Sequence, residues 1–551
     1  MGAPRAGSLV LPALVFLLPF EPRWPVLPLF GFQVTLLELA AAALGGALVW
    51  SVRRRVPALL RRPPLPLAFL GLYAAAHVLS AAFAPAHRDL AAKFALRMVV
   101  MAGLGLAVAA APPEAGRRAL VALVASAAAV AALAVAEGAG LRALDPLLSP
   151  FREMPFNIGG SRRASAGSEY PNLAAAFLMA GMLAACGLAG AWRRPAAPLL
   201  PLAALFSVAL LWTYSRGALV ATGLGLAALA AAGWRQRRLA APALAGLAVL
   251  LAASAGFAWS GEVHRLRLAA EGPGSWYGAA YAPAEGALSL RPAEVRATDV
   301  RVTNTGQMTW TAGGVFHLAY HWYDTRGRKL EDGRRTLLPR DIGPGETVVL
   351  RAELQAPPGE GRYVLAWDMV QERVAWFSDR GVTPAAVPVR VAGDATAAAV
   401  VAPDNPIPAA PRGWAPGRAE LWRLAFQLWR QRPLTGVGSD NFRWLHGPAA
   451  GQPFWDTRVF ANNALLEAAA TTGIPGVVAL AGTLVATTFA AARRLRRGGA
   501  AGSGAAALFA LSVGLAAHGL VDYVLAFTGH YLLFGFVVGS AAGLARSEAP
   551  A

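Results

Sequence analysis

Two rhythms of hydrophobic and polar positions divide this chain. Nearly continuous apolar runs fill both ends, near residues 8–27, 32–51, 65–83, 94–112, 118–137, 171–190, 196–213, 217–233, 240–259, 474–492, 503–522 and 527–545. Runs of about 17–25 apolar residues match the hydrocarbon thickness of a bilayer, where a helix satisfies its own backbone. The pattern predicts a polytopic α-helical membrane protein of about twelve spans. From about 272 to 392 the period changes to two: "RATDVRVTN", "VFHLAYHWYD", "TVVLRAELQ", "GRYVLAWDM" and "VPVRV" are separated by "NTG", "TRG", "GPGE" and "PPGEG". Short alternating runs with Gly/Pro turns predict an inserted all-β sandwich of roughly seven strands. Trp310, Trp322, Trp367 and Trp376 lie on or beside those runs, either as sandwich core or as a sugar-facing surface.

After the β segment, proline density over 393–416 predicts a linker without regular structure. "GRAELWRLAFQLWRQRP" then places Leu421, Leu424, Ala425 and Leu428 on one helical face with Arg418, Arg423 and Arg430 supplying charge. That composition predicts a helix lying on a membrane surface. The expected organisation is a membrane region over 1–260 (about nine spans), the sandwich over 272–392 and the linker over 393–416. An interfacial helix and loop over 417–473 and a membrane region over 474–551 (about three spans) complete it.

Charge sharpens the topology. The chain of 551 residues is 56% hydrophobic, above an ordinary globular domain, and carries a formal net charge of +19. Its arginines cluster between apolar runs: Arg53 to Arg55, Arg117 with Arg118, Arg193 with Arg194, Arg235 to Arg238, and Arg493 to Arg497. A cytoplasmic N-terminus puts all of these inside, as the positive-inside rule asks, and leaves 138–170 and 260–473 outside. The excess charge therefore reflects topology and attraction to anionic lipid and diphosphate rather than nucleic acid. The single cysteine, Cys186, excludes an intramolecular disulfide. The first apolar run resembles a signal peptide, but "PFEPRWP" stands where a cleavage site is needed, so a retained helix is expected.

Candidate chemistry concentrates in the outer segments. In "PLTGVGSDNFRWLHG", Gly436 and Gly438 permit conformations and close approaches that a Cβ blocks, followed by Asp440, Asn441 and His446. Such a loop either cradles a phosphate or sugar or is a plain turn between helices. In "NIGGSRRASAGSEYPNLAAAFL", Arg162, Arg163, Glu169 and Asn172 precede a predicted span, either as an anion site or as a solvated loop touching lipid. No charged residue is expected deep within the predicted helices, which argues against ion-coupled transport.

These stretches also carry a resemblance. "PLTGVGSDNF" with "NNALLEAAATTGIPG", the Arg loop ending in Pro-Asn, "WTYSRGALVATGLGL" and "HGLVDYVLAF" resemble, in the same order, motifs of the O-antigen ligase and O-antigen polymerase-like superfamily. The sandwich is extra to that pattern and looks like immunoglobulin-like modules appended to bacterial glycan enzymes. The resemblance implies a glycosyltransferase of the bacterial inner membrane. Such an enzyme passes a glycan from an undecaprenyl-diphosphate donor to a lipid core, a growing glycan or a protein at the outer face. It implies no cofactor, no nucleotide sugar and no metal. Arg216 matches the family's essential arginine by motif, and Arg162 or Arg163 a second; Asn172, Gly436, Gly438, Asn441 and Asn463 become candidate donor contacts. Arginine forks suit this chemistry because they stabilise a departing diphosphate without a cation. One departure stands out: Asn462 occupies the position of the family's loop histidine, and a carboxamide is no general base. Either His446 or Asp440 serves instead, or the acceptor differs, or transfer is lost. In the last case the chain is a membrane protein that binds polyprenyl-linked glycan through its sandwich.

Overall fold

The computed structural model describes residues 9–22, 25–29, 32–152, 156–158, 161–191, 196–260, 277–306, 308–313, 315–372, 375–380, 382–393, 416–452, 455, 457–497 and 502–546. The linker expected over 393–416 and the Arg193–Arg194 pair fall almost wholly or wholly outside these residues. The chain forms two compact units, one helical and one β, the latter essentially the segment between Arg267 and Ala415.

In chain order the helices are α1 (Val10–Leu17), α2 (Leu36–Val52), α3 (Val56–Arg61), α4 (Leu65–Ala82), α5 (Arg88–Ala110), α6 (Pro113–Gly138), α7 (Asp145–Leu148) and α8 (Pro171–Ala189). They continue as α9 (Ala196–Trp212), α10 (Arg216–Ala232), α11 (Arg237–Trp259), α12 (Arg418–Gln431), α13 (Phe442–Ala449), α14 (Ala464–Arg496), α15 (Gly502–Gly519) and α16 (Thr528–Arg546). Eight of them, α4, α5, α6, α8, α11, α14, α15 and α16, are long and apolar enough to cross a membrane; α2, α9 and α10 are shorter apolar helices. The run predicted over 8–27 holds only the eight-residue α1, because Pro19 and Pro22 follow it and proline cannot continue a helix.

Local sequence explains the helix starts. Proline occupies the first turn of α4, α6 and α8, where its missing N–H costs nothing. Thr35 and Glu38 form a reciprocal capping box on α2. Asn463 caps α14, its Oδ1 accepting from the N–H of Leu465 and of Leu466, both at 3.0 Å. The bundle is built around α8, whose buried face is lined with Ala and Gly so that neighbours approach closely; a Cβ on Gly187 would run into the backbone of Ala507 in α15.

The two ends of the bundle differ in charge. At one, Arg55 Nη1 donates to Ala110 O at 3.3 Å and Gln236 Nε2 to Leu495 O at 3.5 Å, which gathers the basic clusters that follow α2 and α14 and precede α11. At the other, the start of α14 meets the end of α15 (Asn463 Nδ2 to Leu520 O, 2.9 Å). Charged residues occur within the helices after all: the half-buried Glu38 of α2 accepts from Arg97 of α5 at 2.8 and 3.1 Å, and Glu467 of α14 is fully buried.

In the β unit, described from residue 277 to 393, two sheets form. The smaller pairs Thr347–Gln355 with Val295–Asn304, and that strand with Ala279–Pro283, all antiparallel. The larger centres on Gly361–Gln371 between Phe316–Asp324 and Ala385–Val391, with Leu288–Leu290 added in parallel at one edge. Along Thr347–Gln355 strict alternation puts Leu350, Ala352 and Leu354 inside. Trp310, Trp322 and Trp367 are fully buried, which makes them core, while Trp376 is half-buried with the Arg335 guanidinium 5.0 Å and the Lys329 ammonium 5.4 Å from its ring centre.

Candidate active site

The glycine loop is held by a break in α14. Gly473, at φ +69°, interrupts that helix and frees carbonyls that an unbroken ladder would use. The loop takes them: Val437 N–H donates to Ala470 O at 2.9 Å and Gly438 N–H to Thr471 O at 3.2 Å, while Ile474 N–H donates back to Pro433 O at 2.8 Å. Both loop glycines have positive φ, +65° and +111°, and a Cβ on Gly436 would overlap the Thr471 backbone. Their freedom thus serves an approach to the chain itself; the N–H groups of residues 436–438 are occupied, so these glycines do not cradle a ligand.

Neighbouring side chains lock the loop further. Asn441 Nδ2 donates to Ala86 O (2.7 Å) and Val437 O (3.0 Å), and Ser439 Oγ donates to His77 O at 3.0 Å. Asn441 is therefore a buried clamp on the turn after α4 rather than an open contact for substrate. His446 lies fully buried in α13, its ring stacked on Phe442 with centres 5.3 Å apart and its Nδ1 3.2 Å from Phe442 O. It does not line the cavity that the loop borders.

That cavity, of about 340 Å³, lies at the end of the bundle opposite the basic clusters. Its walls come from residues 18–22 after α1, Thr35, Arg97, residues 167–170 with the start of α8, Asp440 and Arg443, Arg458 and Phe460, and residues 526–530. Three guanidinium groups line it, those of Arg97, Arg443 and Arg458, with carboxylates from Glu21, Glu169 and Asp440. Arg443 grips Asp440 Oδ2 through Nε and Nη2 at 2.9 and 2.6 Å, reaches Thr457 O through Nη1 at 3.4 Å, and lies 4.9 Å over Trp444. Of its five N–H groups about two remain for a ligand. Burial raises the Asp440 carboxyl from its ordinary value while Arg443 pulls the other way. Burial likewise pushes up Glu21, against hydrogen bonds from Thr528 and from Thr35 Oγ1 at 3.1 Å. A cavity with cationic forks and a carboxyl of raised proton affinity can hold a dianionic leaving group and accept a proton.

Of the residues singled out from sequence, only Asp440 and Glu169 line this cavity. Asn463 is a helix cap, and Asn462, at φ +51°, belongs to the turn before it. Arg162 is spent on an internal ion cluster, paired with Asp145 and Glu137 beside Arg152. Arg163 donates to Thr213 O (2.8 Å) and Asn172 Oδ1 (2.9 Å), and Asn172 Nδ2 donates to Asp522 Oδ2 at 2.8 Å. This chain ties the Arg loop, the "TYSRG" turn and the "HGLVDY" segment together and braces two walls of the cavity from behind, since residues 167–170 and 526–530 adjoin it. Arg216 is the exposed first residue of α10, outside the cavity wall.

Sequence reasoning missed Glu21, Arg97, Arg443 and Arg458. Arg443 was the nearest to hand: it follows Asp440 at the i,i+3 spacing of a helix turn. Arg97 and Glu38 stand inside predicted spans, where a charged residue marks function by default.

The model of the O-antigen ligase family matches residues 364–481, which take in the last strands of the β unit, α12, the glycine loop, α13 and α14 as far as its kink and just beyond. Over that stretch the chain is similar to the O-antigen ligase family. No curated protein matches it. The matched stretch supplies Asp440, Arg443, Arg458 and Phe460 to the cavity, while Glu21 comes from the segment after α1 and Arg97 from α5.

Proposed function

We propose that the chain transfers a glycan from an undecaprenyl-diphosphate donor to an acceptor hydroxyl at the cavity, on the extracytoplasmic face of a bacterial inner membrane. The observation that carries this reading is the meeting of three arginines with a carboxyl of raised proton affinity in a cavity bordered by the family's matched stretch. The acceptor oxygen attacks the anomeric carbon, the bond from that carbon to the diphosphate oxygen breaks, and the acceptor's proton passes to Glu21. The polyprenyl diphosphate leaves with the electron pair. Arg97, Arg443 and Arg458 stabilise its charge, which a low-dielectric site makes worth more than in water. Asp440 orients Arg443, and Arg163, Asn172 and Asp522 position the walls. Arg216 meets the donor where its lipid enters, at headgroup depth, and the immunoglobulin-like β unit lies on the same side of the membrane. About eleven helices cross, α2, α9 and α10 included, while the eight-residue α1 is too short to span the hydrocarbon.

Asn462 at the histidine position favours a second reading, a protein that binds lipid-linked glycan without transferring it. Reconstitution of the full chain with a polyprenyl-diphosphate glycan and candidate acceptors separates the two. Glycan lengthened or moved to a new carrier supports transfer; donor retention with no new product under every acceptor supports binding alone.

A further inference from the structure

A second cavity among the described residues of the helical unit has no part in the chemistry above. It has a volume of about 330 Å³ and lies at the basic end of the bundle, between the start of α6, the start of α15 and the end of α16. Val108, Leu120, Leu508 and Leu544 give it an apolar wall, and Arg117 and Arg546 a cationic rim. The first turns of α6 and α15 both line it through Pro113, Glu114, Ser503 and Gly504, which places two helix N-termini at its wall, that of α6 without N–H groups on Pro112 and Pro113. No side chain caps α6.

We propose that this cavity is a binding site for the headgroup of an anionic glycerophospholipid from the leaflet at the basic end. Two observations converge. Cationic rim and helix N-termini call for a phosphate, and the apolar wall calls for an acyl chain rather than a free solute. Glu114 also lines the cavity and repels a phosphate, which places the phosphate toward Arg117 and Arg546 and leaves Glu114 to accept from a headgroup hydroxyl. The leaflet facing a basic cluster is the anionic one under the positive-inside rule. The site joins α6, α15 and α16, so an occupied cavity fixes three helices whose far ends, Gly138, Gly519 and Thr528, lie at the end of the bundle where the reaction is proposed to occur.

The test uses the full chain in detergent, with its melting midpoint followed against dihexanoylphosphatidylglycerol, dihexanoylphosphatidylcholine and inorganic phosphate. Phosphatidylglycerol is expected to raise the midpoint saturably, with the other two far behind at equal concentration. Arg117→Gln with Arg546→Gln is expected to weaken the apparent affinity by roughly tenfold or more, the loss of charge-assisted hydrogen bonds. A second variant avoids any question of folding: a Cβ on Gly504 meets nothing within 4 Å, so Gly504→Leu projects into the cavity without a clash and improves helix propensity. It should keep the parental midpoint without lipid and lose the lipid response. Equal shifts with phosphatidylcholine, equal shifts with inorganic phosphate, or a parental response in Gly504→Leu each overturn the proposal. Failure of glycan transfer in reconstitution leaves it standing, because none of its readouts is activity.

Discussion

Arg443→Ala separates the chemistry of the cavity from its architecture. The guanidinium spends two donors on Asp440 and one toward Thr457 O, and turns the remainder to the cavity that is proposed to hold the departing diphosphate. Removing a positioned donor from a developing oxyanion costs about 2.7–4 kcal/mol, a rate loss on the order of 10²–10³. A second consequence follows from burial: without Arg443, only the more weakly acting Arg97 and Lys93 offset the desolvation of Asp440, and its carboxyl rises further. Arg443→Lys keeps a positive charge but loses the planar fork, so a loss of roughly ten- to a hundredfold is expected, the value of one or two hydrogen bonds to a charged group. Asp440→Asn keeps Arg443 and should cost far less than Arg443→Ala, while the double variant should match Arg443→Ala, because residues acting as a unit are not additive. The assay is single-turnover transfer from a polyprenyl-diphosphate glycan in proteoliposomes, with protein level checked in parallel. Parental turnover in Arg443→Ala at parental protein level refutes the placement of the leaving group.

Four further outcomes are expected. Glu21 must be ionised to accept a proton and its carboxyl lies above the ordinary carboxylate value, so kcat/KM should rise with pH through that raised pKa and then level off; Glu21→Gln should abolish the rise along with most of the rate. Gly436→Ala should lower thermal stability by at least about 1–2 kcal/mol, the cost of a left-handed backbone with a Cβ, with the overlap on Thr471 added; an unchanged melting midpoint would contradict the loop geometry. In a Cys186→Ala background, cysteines at the exposed Thr325 and Gln431 should react with an impermeant reagent in intact cells and one at Arg54 should not, whereas Ser378 and Ser439 are too buried to report. Burial raises Asp332, but hydrogen bonds from His321 and Lys329 prevail and hold its carboxyl down to about 2. Its folded pKa lies below the unfolded value, so the stability it adds to residues 277–393 is present above about pH 4 and is lost as pH falls toward 2; in Asp332→Asn, acid unfolding in that window should flatten.

Helices and strands were legible because each has its own period: α4, α5 and α16 begin and end within a few residues of their apolar runs except where Arg88 and Asp89 extend α5 backward. α1 was overdrawn because a hydropathy run does not register that Pro19 and Pro22 stop a helix. The glycine loop was legible as a special backbone but not as to what it approaches. Positive φ and absence of a Cβ are the same signal whether the neighbour is a phosphate or, as with Gly436, the Thr471 carbonyl. Arg162 looked like an anion site because its partners Glu137 and Asp145 stand 25 and 17 residues away, and a single sequence does not show that they meet. Glu21 sat in a proline-rich stretch that answered a different question, whether a leader is cleaved.

The break at Gly473 bears on what the glycine signature reports. Gly436, Gly438, Gly473 and Asn463 answer to a joint between two half-helices, one following the stretch that carries Arg458 and Phe460 and one running on toward the basic end. A joint demands the same residues whatever reaction is run beside it. The glycine signature of this chain is therefore that of a hinge plate bolted to a doorframe: it identifies the frame and not the chemistry beside it.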